Sequence, residues 1–356
     1  MVSQRNYRCR ISEIKVCDTS TVILENELVR ISILAGKGAD IYEFLDKRTD
    51  TDYMYRERRG LDRLDGFVPS VATEQGAFWD YMVGGWFELF PNSGNISHTQ
   101  NAQIGQHGEV CLQPWSWKIV CDTAECISVE FSVKTRRTPF LLKRKMTLHS
   151  GSPTLEIRER VTNDGNCRAE FLWGHHITFG EGFLNENCLI DLPDCTVVNR
   201  ADYDNPNSRI KSEKPSSWDC MPGKNGEIID GSRVLSRNSG VAEMLFATEM
   251  KSAWFAINDP QKKSGLAVSW DGSMFRSLWI WEEFCASAGW PLYKDAYALA
   301  LEPQVSDIPV LHNASKAGKT VWLEANETVE TWMMATVFHD GRRIAAVKAD
   351  GTILFK

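Results

Sequence analysis

Residues 154–161 read Thr154-Leu155-Glu156-Ile157-Arg158-Glu159-Arg160-Val161, in which apolar and polar side chains alternate for much of the length. A period of two is typical of a β-strand with one buried and one solvated face. Residues 127–133 show the same period, and residues 21–24 and 29–33 are short runs rich in β-branched side chains. Turn-forming residues such as those at 163–166 separate these runs, and stretches with a helical period are nearly absent. The sequence therefore predicts an all-β protein, built as a large antiparallel β-sandwich.

Two segments differ from this pattern. Residues 72–82 have the character of a short helix, and residues 191–239 are richer in Asn, Asp, Ser, Pro and Gly than their flanks. We interpret residues 191–239 as an excursion over a face of the sandwich rather than a linker, because strand-like sequence resumes on both sides. A chain of 356 residues is long enough for two domains of typical size, but a β-sandwich often forms one domain that is longer than the typical size. We expect a single domain over residues 1–356.

Composition excludes several classes of partner. The net charge is −7 and no basic run is present, which argues against nucleic acid or an anionic membrane as a partner. The chain starts with a polar, basic segment, and no apolar stretch approaches the roughly 18 residues of a membrane span. Ten cysteines are scattered without CxxC pairs or metal-ligand spacing. We expect them to be reduced, which suits a cytoplasmic protein.

The chain is rich in tryptophan, with 13 residues, several of them near the histidines discussed below. Packing in the hydrophobic core is the ordinary explanation for most of these tryptophans. Sugar-binding clefts also use flat aromatic faces, which stack on the apolar face of a pyranose while polar neighbours bind its hydroxyls. Composition alone leaves both explanations open.

A histidine pair, His175-His176, lies within the strand-like segment 172–180. Neighbouring residues on a strand point to opposite faces, so the two imidazoles would not readily hold one metal ion. The chain also lacks an HExxH motif and any Cys/His spacing typical of zinc. We expect neither a metal nor a cofactor. The alternative to a functional role is one histidine satisfied in the core and the other exposed.

Glu302 follows the apolar run 297–301 and precedes Pro303, a residue that ends regular strand pairing. A carboxylate at the end of an apolar strand is costly unless it is paired or functional. Burial there would raise its pKa toward the range that suits a general base. The alternative is a glutamate at the rim of the sandwich that faces water.

Several segments, taken in order, resemble the galactose mutarotase (aldose 1-epimerase) family. They are residues 24–33 with the turn at 36–41, Phe90-Pro91-Asn92-Ser93-Gly94 with His107-Gly108, Trp173-Gly174-His175-His176-Ile177-Thr178-Phe179, Leu301-Glu302-Pro303-Gln304, and residues 323–331. Each motif alone is weak, but their order and spacing together are fairly specific. The resemblance covers most of the chain and implies the galactose mutarotase-like supersandwich fold and a sugar as the small-molecule partner.

The resemblance also implies roles for particular residues. Phe179 sets the register that aligns His176, rather than His175, with the catalytic histidine of the family. Glu302 then takes the proton from the anomeric hydroxyl, and protonated His176 delivers a proton to the ring oxygen, which opens the ring. His107 matches a second histidine that binds sugar hydroxyls. The further candidates for binding the sugar are Asn92, His175, Arg276, Trp279 and Trp281.

The sequence also departs from the common family pattern. Asn95 follows Gly94 where many members carry an arginine, and Ile177-Thr178 replaces the usual Pro-Tyr. These departures leave the acid–base pair in place. They indicate a divergent, less characterised branch and argue against assuming galactose as the substrate.

Three other functions are considered. A non-catalytic carbohydrate-binding protein could share the same sandwich, because a fold does not fix a function. A glycoside hydrolase or lyase would normally need a second carboxylate across the bond, for which Glu109, Glu282 and Glu283 are the candidates. An epimerase acting on a sugar phosphate would need an Arg/Lys cluster, whereas only scattered basic residues lie near the motifs.

Overall fold

The structure is a computed structural model that describes residues 8–61 and 74–356. The described residues are predominantly β, with two α-helices, α1 (Glu74–Tyr81) and α2 (Leu311–Lys316), and two short 3-10 helices, Val110–Leu112 and Arg237–Ser239. In chain order the strands are β1 (Arg10–Val16), β2 (Thr19–Glu25), β3 (Val29–Leu34), β4 (Asp40–Asp46), β5 (Thr51–Asp52), β6 (Trp86–Leu89), β7 (Ser97–Thr99), β8 (Ala102–Ile104), β9 (Ser116–Asp122), β10 (Cys126–Lys134), β11 (Phe140–His149), β12 (Thr154–Asn163), β13 (Ala169–Phe171), β14 (Gly174–Phe179), β15 (Leu189–Asp191), β16 (Thr196–Asn199), β17 (Met221–Pro222), β18 (Ile228–Ile229), β19 (Ala242–Thr248), β20 (Trp254–Asp259), β21 (Ser264–Trp270), β22 (Ser277–Phe284), β23 (Tyr297–Gln304), β24 (Val321–Leu323), β25 (Thr328–Phe338), β26 (Ile344–Val347) and β27 (Ile353–Phe355).

Two large antiparallel sheets form the body of the protein. The larger has 11 strands in the order β1-β2-β3-β4-β6-β14-β23-β22-β19-β16, with β5 paired to β4. The smaller has eight strands in the order β15-β20-β21-β25-β12-β11-β10-β9. One cluster of buried apolar side chains draws on strands of both sheets, so the two sheets pack face to face around a common core. The predicted all-β sandwich is confirmed; the single-domain division stays a prediction.

The strand predicted at residues 154–161 is β12, in the middle of the smaller sheet. Its buried and less buried residues alternate as the sequence pattern requires, with Leu155, Ile157 and Val161 turned into the core. Glu159 occupies the same inward phase and is also buried. The alternation therefore fixes which face is inward, and it carries one carboxylate into the core with the apolar side chains.

The central strands of the larger sheet are covered on both faces. Every residue of β23 is buried, as its near-continuous apolar sequence suggests. Its inward residues Leu299 and Leu301 join the core between the sheets. Its outward residue Ala298 joins a second apolar cluster that includes Phe78 of α1 and Phe87 of β6. A strand with two covered faces leaves no solvated side, so an acidic group at its end is buried whichever way it points.

The segment 191–239 packs onto the sandwich. Ile210, Trp218 and Met221 join the core between the sheets. Arg209 donates a hydrogen bond of 2.9 Å to Glu282 on β22 and contacts Glu243 on β19. The start of the segment supplies β16, the edge strand of the larger sheet.

The helix predicted at residues 72–82 is α1, and residues 72–73 lie outside the described residues. Within the described ranges, the structure contains no helix that is both long and apolar enough to span a membrane.

Candidate functional site

A cavity of about 530 Å³ lies on the outer face of the larger sheet, over its central strands. Side chains two residues apart on a strand share a face, so β14 presents His176 and Thr178 to the cavity together. Glu302 projects into it from β23, and it pairs across the strands with Trp279 of β22. Trp281 lines the same cavity, two residues further along β22.

His176 and Glu302 meet at the floor of the cavity. The Nε2 atom of His176 lies 3.4 Å from Oε1 of Glu302. The imidazole stacks on Phe87 with 4.6 Å between ring centroids, and its Nδ1 lies 2.7 Å from the Thr178 hydroxyl oxygen. One ring face and one ring nitrogen are therefore fixed by the protein, and Nε2 is left to face the carboxyl group.

Glu302 is held by the residue two positions along the same strand. The amide of Gln304 donates to Oε2 of Glu302 over 3.2 Å. Gln304 pairs with Gly174 of β14, and a Cβ atom at position 174 would lie 1.8 Å from the Gln304 side-chain oxygen. The glycine in Gly174-His175-His176 thus provides the space for the amide that orients the carboxyl group.

Burial governs the protonation of the pair. It raises the pKa of Glu302 to about 8, whereas the hydrogen bond from Gln304 acts in the opposite direction. Burial, with a smaller contribution from the nearby His107, lowers the pKa of His176 well below its usual value. At neutral pH and without a ligand, the proton that the pair shares therefore resides on Glu302.

This protonation predicts a pH-dependent stability that Glu302→Gln should remove. The pKa of Glu302 rises from 4.5 to about 8 on folding, so the folded state holds this proton over that interval. Its contribution to stability is present at low pH and is lost as pH rises, by up to about 1.4 kcal/mol per pH unit. Glutamine does not titrate. The unfolding free energy of the variant, measured in urea, should therefore rise relative to that of the wild type from pH 5 to pH 8.

Glu156→Gln is the control, because this side chain is 36% exposed and the variant should show no such trend. A difference between Glu302→Gln and the wild type that stays constant with pH would mean that Glu302 is ionised in the folded protein.

His107 reaches the cavity from a tight turn. Its backbone φ is 59° and that of Gly108 is 81°, and a Cβ atom on Gly108 would lie 2.1 Å from the Phe90 carbonyl oxygen. The Nδ1 atom of His107 lies 2.5 Å from the Ser93 carbonyl, so it carries the proton and donates. Burial lowers the pKa of this imidazole to about 4. His107 is therefore neutral, with Nε2 as an acceptor, and its ring centroid lies 6.0 Å from that of His176.

The predicted site residues separate into two groups. His107, His176, Trp279, Trp281 and Glu302 line the cavity together. Asn92, His175 and Arg276 are not among the residues that line it, so the prediction that these three face the sugar is corrected as follows.

Asn92 is buried beneath the loop that carries His107. Its side-chain amide donates to the carbonyl groups of Gly94, Asn95 and Gly105, and its oxygen accepts the Leu311 backbone N–H over 2.9 Å. The Asn92 side chain therefore joins this loop to the start of α2.

His175 points into the sandwich, on the opposite face of β14 from His176. Its Nε2 lies 2.9 Å from Oε2 of Glu159 on the smaller sheet, and Trp86 donates to its Nδ1 over 3.0 Å. His175 is therefore satisfied in the core, as in the alternative that the sequence left open, whereas His176 lines the cavity and is not exposed on the surface. Arg276 is exposed and donates to the Val305 carbonyl over 3.2 Å, away from the cavity.

Other cavity residues were not predicted from the sequence. Tyr203, Asn205 and Asn207 come from the 191–239 segment, and Trp79 comes from α1. Tyr203 packs on Phe246 of β19, with 5.4 Å between ring centroids. No local pattern marks these residues, because a loop reaches the cavity only through long-range packing. Thr178 and Gln304 could have been found from their spacing of two residues from His176 and Glu302.

The three carboxylates considered as partners of Glu302 for hydrolysis are engaged elsewhere. Glu282 accepts from Arg209 over 2.9 Å. Glu109 accepts from the backbone N–H of Arg136 over 2.7 Å and does not line the cavity. Glu283 lines the cavity, but both of its oxygens accept hydrogen bonds from the loop at 286–287.

Comparison with known structures shows the fold. A galactose mutarotase related enzyme from Lactobacillus acidophilus is 16% identical, with 90% of this chain and 98% of that chain covered and a TM-score of 0.58. A galactose mutarotase-like protein from Clostridium acetobutylicum is 14% identical, with 93% and 99% covered and a TM-score of 0.61. The Slr1438 protein from Synechocystis sp. PCC 6803 is 18% identical, with 96% and 99% covered and a TM-score of 0.60. The chain has the galactose mutarotase-like sandwich and is a divergent example of it.

No curated protein matches the sequence. One family model matches it over residues 90–337, a range that includes His107, His176 and Glu302. The chain therefore belongs to the family described as a domain of unknown function, DUF4432.

Proposed function

We propose that the protein is a mutarotase of the aldose 1-epimerase type, which interconverts the α and β anomers of a sugar. The observation that carries the proposal is the His176–Glu302 pair, with 3.4 Å between Nε2 and Oε1 at the floor of an aromatic cavity. Opening a hemiacetal needs one group to take the proton of the anomeric hydroxyl and another to protonate the ring oxygen. The two side chains can share both tasks without any other reagent.

The proposed reaction begins with a single proton on the pair. When the anomeric hydroxyl donates a hydrogen bond to Glu302, the ionised carboxylate is favoured and the proton passes to His176. Glu302 then takes the hydroxyl proton while His176 gives its proton to the ring oxygen, and the C1–O5 bond breaks to give the aldehyde. Rotation about C1–C2 and reversal of both transfers close the ring as the other anomer, so no proton is gained or lost overall.

Two rival functions have less support from the site. Hydrolysis needs a second available carboxylate, and Glu109, Glu282 and Glu283 are each held by other groups. A sugar phosphate needs cations, and none of the described residues that line the cavity is lysine or arginine. A binding protein without catalysis remains the second candidate, because the aromatic walls alone would hold a sugar.

The experiment that tests the proposal is anomer exchange measured by NMR saturation transfer. The panel consists of neutral hexoses, pentoses, deoxy sugars, uronic acids and sugar phosphates. We expect at least one uncharged sugar to exchange faster in proportion to the protein concentration. Binding to the cavity without faster exchange would contradict the mutarotase proposal and favour the binding protein.

His107→Ala is expected to weaken sugar binding by about tenfold, which is the loss of one good hydrogen bond. The reason is that Nδ1 of the neutral imidazole is already committed to Ser93, so Nε2, which lies 3.4 Å from the Gln106 amide nitrogen, is the atom that accepts from a sugar hydroxyl. The measurement is KM for anomer exchange at neutral pH. The surface variant His149→Ala is the control, and equal KM values for His107→Ala and the wild type would remove His107 from the binding site.

We also propose a cytoplasmic location. No disulfide joins the described cysteines from Cys17 to Cys285, and free thiols are typical of a reducing compartment.

A further inference from the structure

The cavity is larger than one sugar ring requires. A hexopyranose has twelve non-hydrogen atoms, and at ~30 Å³ for each, the volume share of a liquid water molecule, it fills at most ~360 Å³. The cavity measures about 530 Å³. A single ring placed with its anomeric carbon at the His176–Glu302 floor therefore leaves the outer part of the cavity unfilled.

The outer part of the cavity continues into an exposed aromatic rim. Trp79 of α1 lines the cavity and contacts Trp290, with ring centroids 6.3 Å apart in an edge-to-face arrangement. Trp290 is 52% exposed, and Tyr293, three residues further along the chain, is 62% exposed. Leu292, from the same loop, lines the cavity, so the rim and the floor belong to one continuous surface. Large aromatic side chains are rarely left this exposed in a group unless they bind something.

The charge of the cavity indicates the class of ligand. The described residues that line it include no lysine or arginine, and burial lowers the pKa of both His107 and His176. Its polar groups are amides and hydroxyls, such as those of Gln106, Asn205 and Thr178, together with the carboxyl groups of Glu243, Glu283 and Glu302. A phosphate or carboxylate on the ligand would find no cation here, whereas sugar hydroxyls would find partners.

We propose that the site takes an uncharged saccharide of at least two rings. The reducing-end ring lies against His176 and Glu302, and the second ring lies on the surface formed by Trp79 and Trp290. Assigning the reducing end to the floor rests on the proposed mutarotase function, but the binding of two rings does not. The apolar face of a pyranose suits the flat face of a tryptophan, and the hydroxyls at its edge stay in water.

The test compares disaccharides with their component monosaccharides. Lactose, maltose and cellobiose are titrated against galactose and glucose, with Kd from tryptophan fluorescence and ring contacts from saturation-transfer difference NMR. We expect at least one disaccharide to bind more tightly than its reducing-end monosaccharide, with saturation on both rings. Trp290→Ala should weaken that disaccharide by about tenfold and leave the monosaccharide unchanged.

Trp322→Ala is the matched control. Trp322 is 39% exposed on β24, outside the cavity, and neither ligand should respond to its loss. The proposal is overturned if no disaccharide binds more tightly than its monosaccharide, or if Trp290→Ala weakens both equally or neither. Maltose 6-phosphate binding more tightly than maltose would overturn the uncharged class.

Anomer exchange by the wild type, measured alongside these titrations, separates this proposal from the mutarotase proposal. Disaccharide binding that depends on Trp290, without faster anomer exchange by the wild type, would refute the mutarotase function and keep the two-ring site. Faster exchange of a monosaccharide, with no gain from a second ring, would keep the mutarotase function and refute the two-ring site.

Discussion

Glu302→Gln is expected to slow anomer exchange by about 10²–10⁴-fold, the usual contribution of a general acid or base. Glutamine keeps the shape of the side chain and can still bond with Gln304, but it can neither hold nor accept the proton of the pair. The cavity is otherwise unchanged, so sugar binding should persist. Saturation-transfer rates at neutral pH, together with Kd by fluorescence, measure the two effects separately.

A second histidine–glutamate pair on the surface provides the matched control. His149 Nε2 lies 3.4 Å from Glu156 Oε1, the same distance as in the site, but the two side chains are 46% and 36% exposed. Glu156→Gln should leave exchange unchanged. His176→Ala should slow anomer exchange about as much as Glu302→Gln does. The double variant should be only slightly slower than either, because the two groups act on one proton. Near-normal exchange by Glu302→Gln would show that Glu302 is not part of the acid–base machinery.

Arg144→Met is expected to lower the free energy of unfolding by about 3–5 kcal/mol, the usual cost of breaking a buried ion pair. Arg144 of β11 is 1% exposed and lies 3.1 Å from the Glu88 carboxyl group, which is equally buried. It also donates to the Ala39 carbonyl oxygen and lies over the Trp115 ring at 5.2 Å. Methionine fills much of the same space, but it removes the positive charge and the donors that face the Glu88 carboxyl group and the Ala39 carbonyl oxygen.

The pH dependence of this loss identifies its cause. Burial raises the pKa of both Glu88 and Glu159 to about 7, and Arg144 opposes that rise. Without Arg144 these two carboxyl groups stay protonated to higher pH in the folded state. The stability of the variant therefore falls more steeply than that of the wild type as pH rises. The destabilisation in urea should therefore be smaller at pH 5.5 than at pH 8. The exposed Arg158→Met on β12 is the control, with an expected change within about 0.5 kcal/mol. A similar loss of stability in Arg144→Met and Arg158→Met would mean that the loss does not come from breaking a buried ion pair.

This buried cluster lies directly behind the site. Glu88 pairs across the strands with His175, and the next pair along is Phe87 with His176. His175 bonds to Glu159, so the inward side chains tie β6 and β14 to the smaller sheet while the outward ones form the floor of the cavity. The stability of the charge cluster and the geometry of the catalytic pair therefore depend on the same two strands.

The sequence by itself determined the features that follow from strand period. Alternation in residues 154–161 and 127–133 identified strands whose inward and outward faces the structure confirms. The same rule separated His175 from His176, and an apolar run ending in Glu302 indicated a buried carboxyl group. These inferences succeed because a strand fixes the direction of each side chain from its neighbours alone.

Only the tertiary structure decided which faces are covered, and by what. Asn92 and His175 lie in segments that carry the family motifs, yet both are buried away from the cavity by contacts with residues far along the chain, Leu311 and Trp86. The 203–207 stretch has no motif, yet it forms a wall of the cavity. Strand period gives the direction of a side chain, but not what lies in that direction. That depends on pairing and packing between residues that are distant in sequence, and no local pattern encodes it.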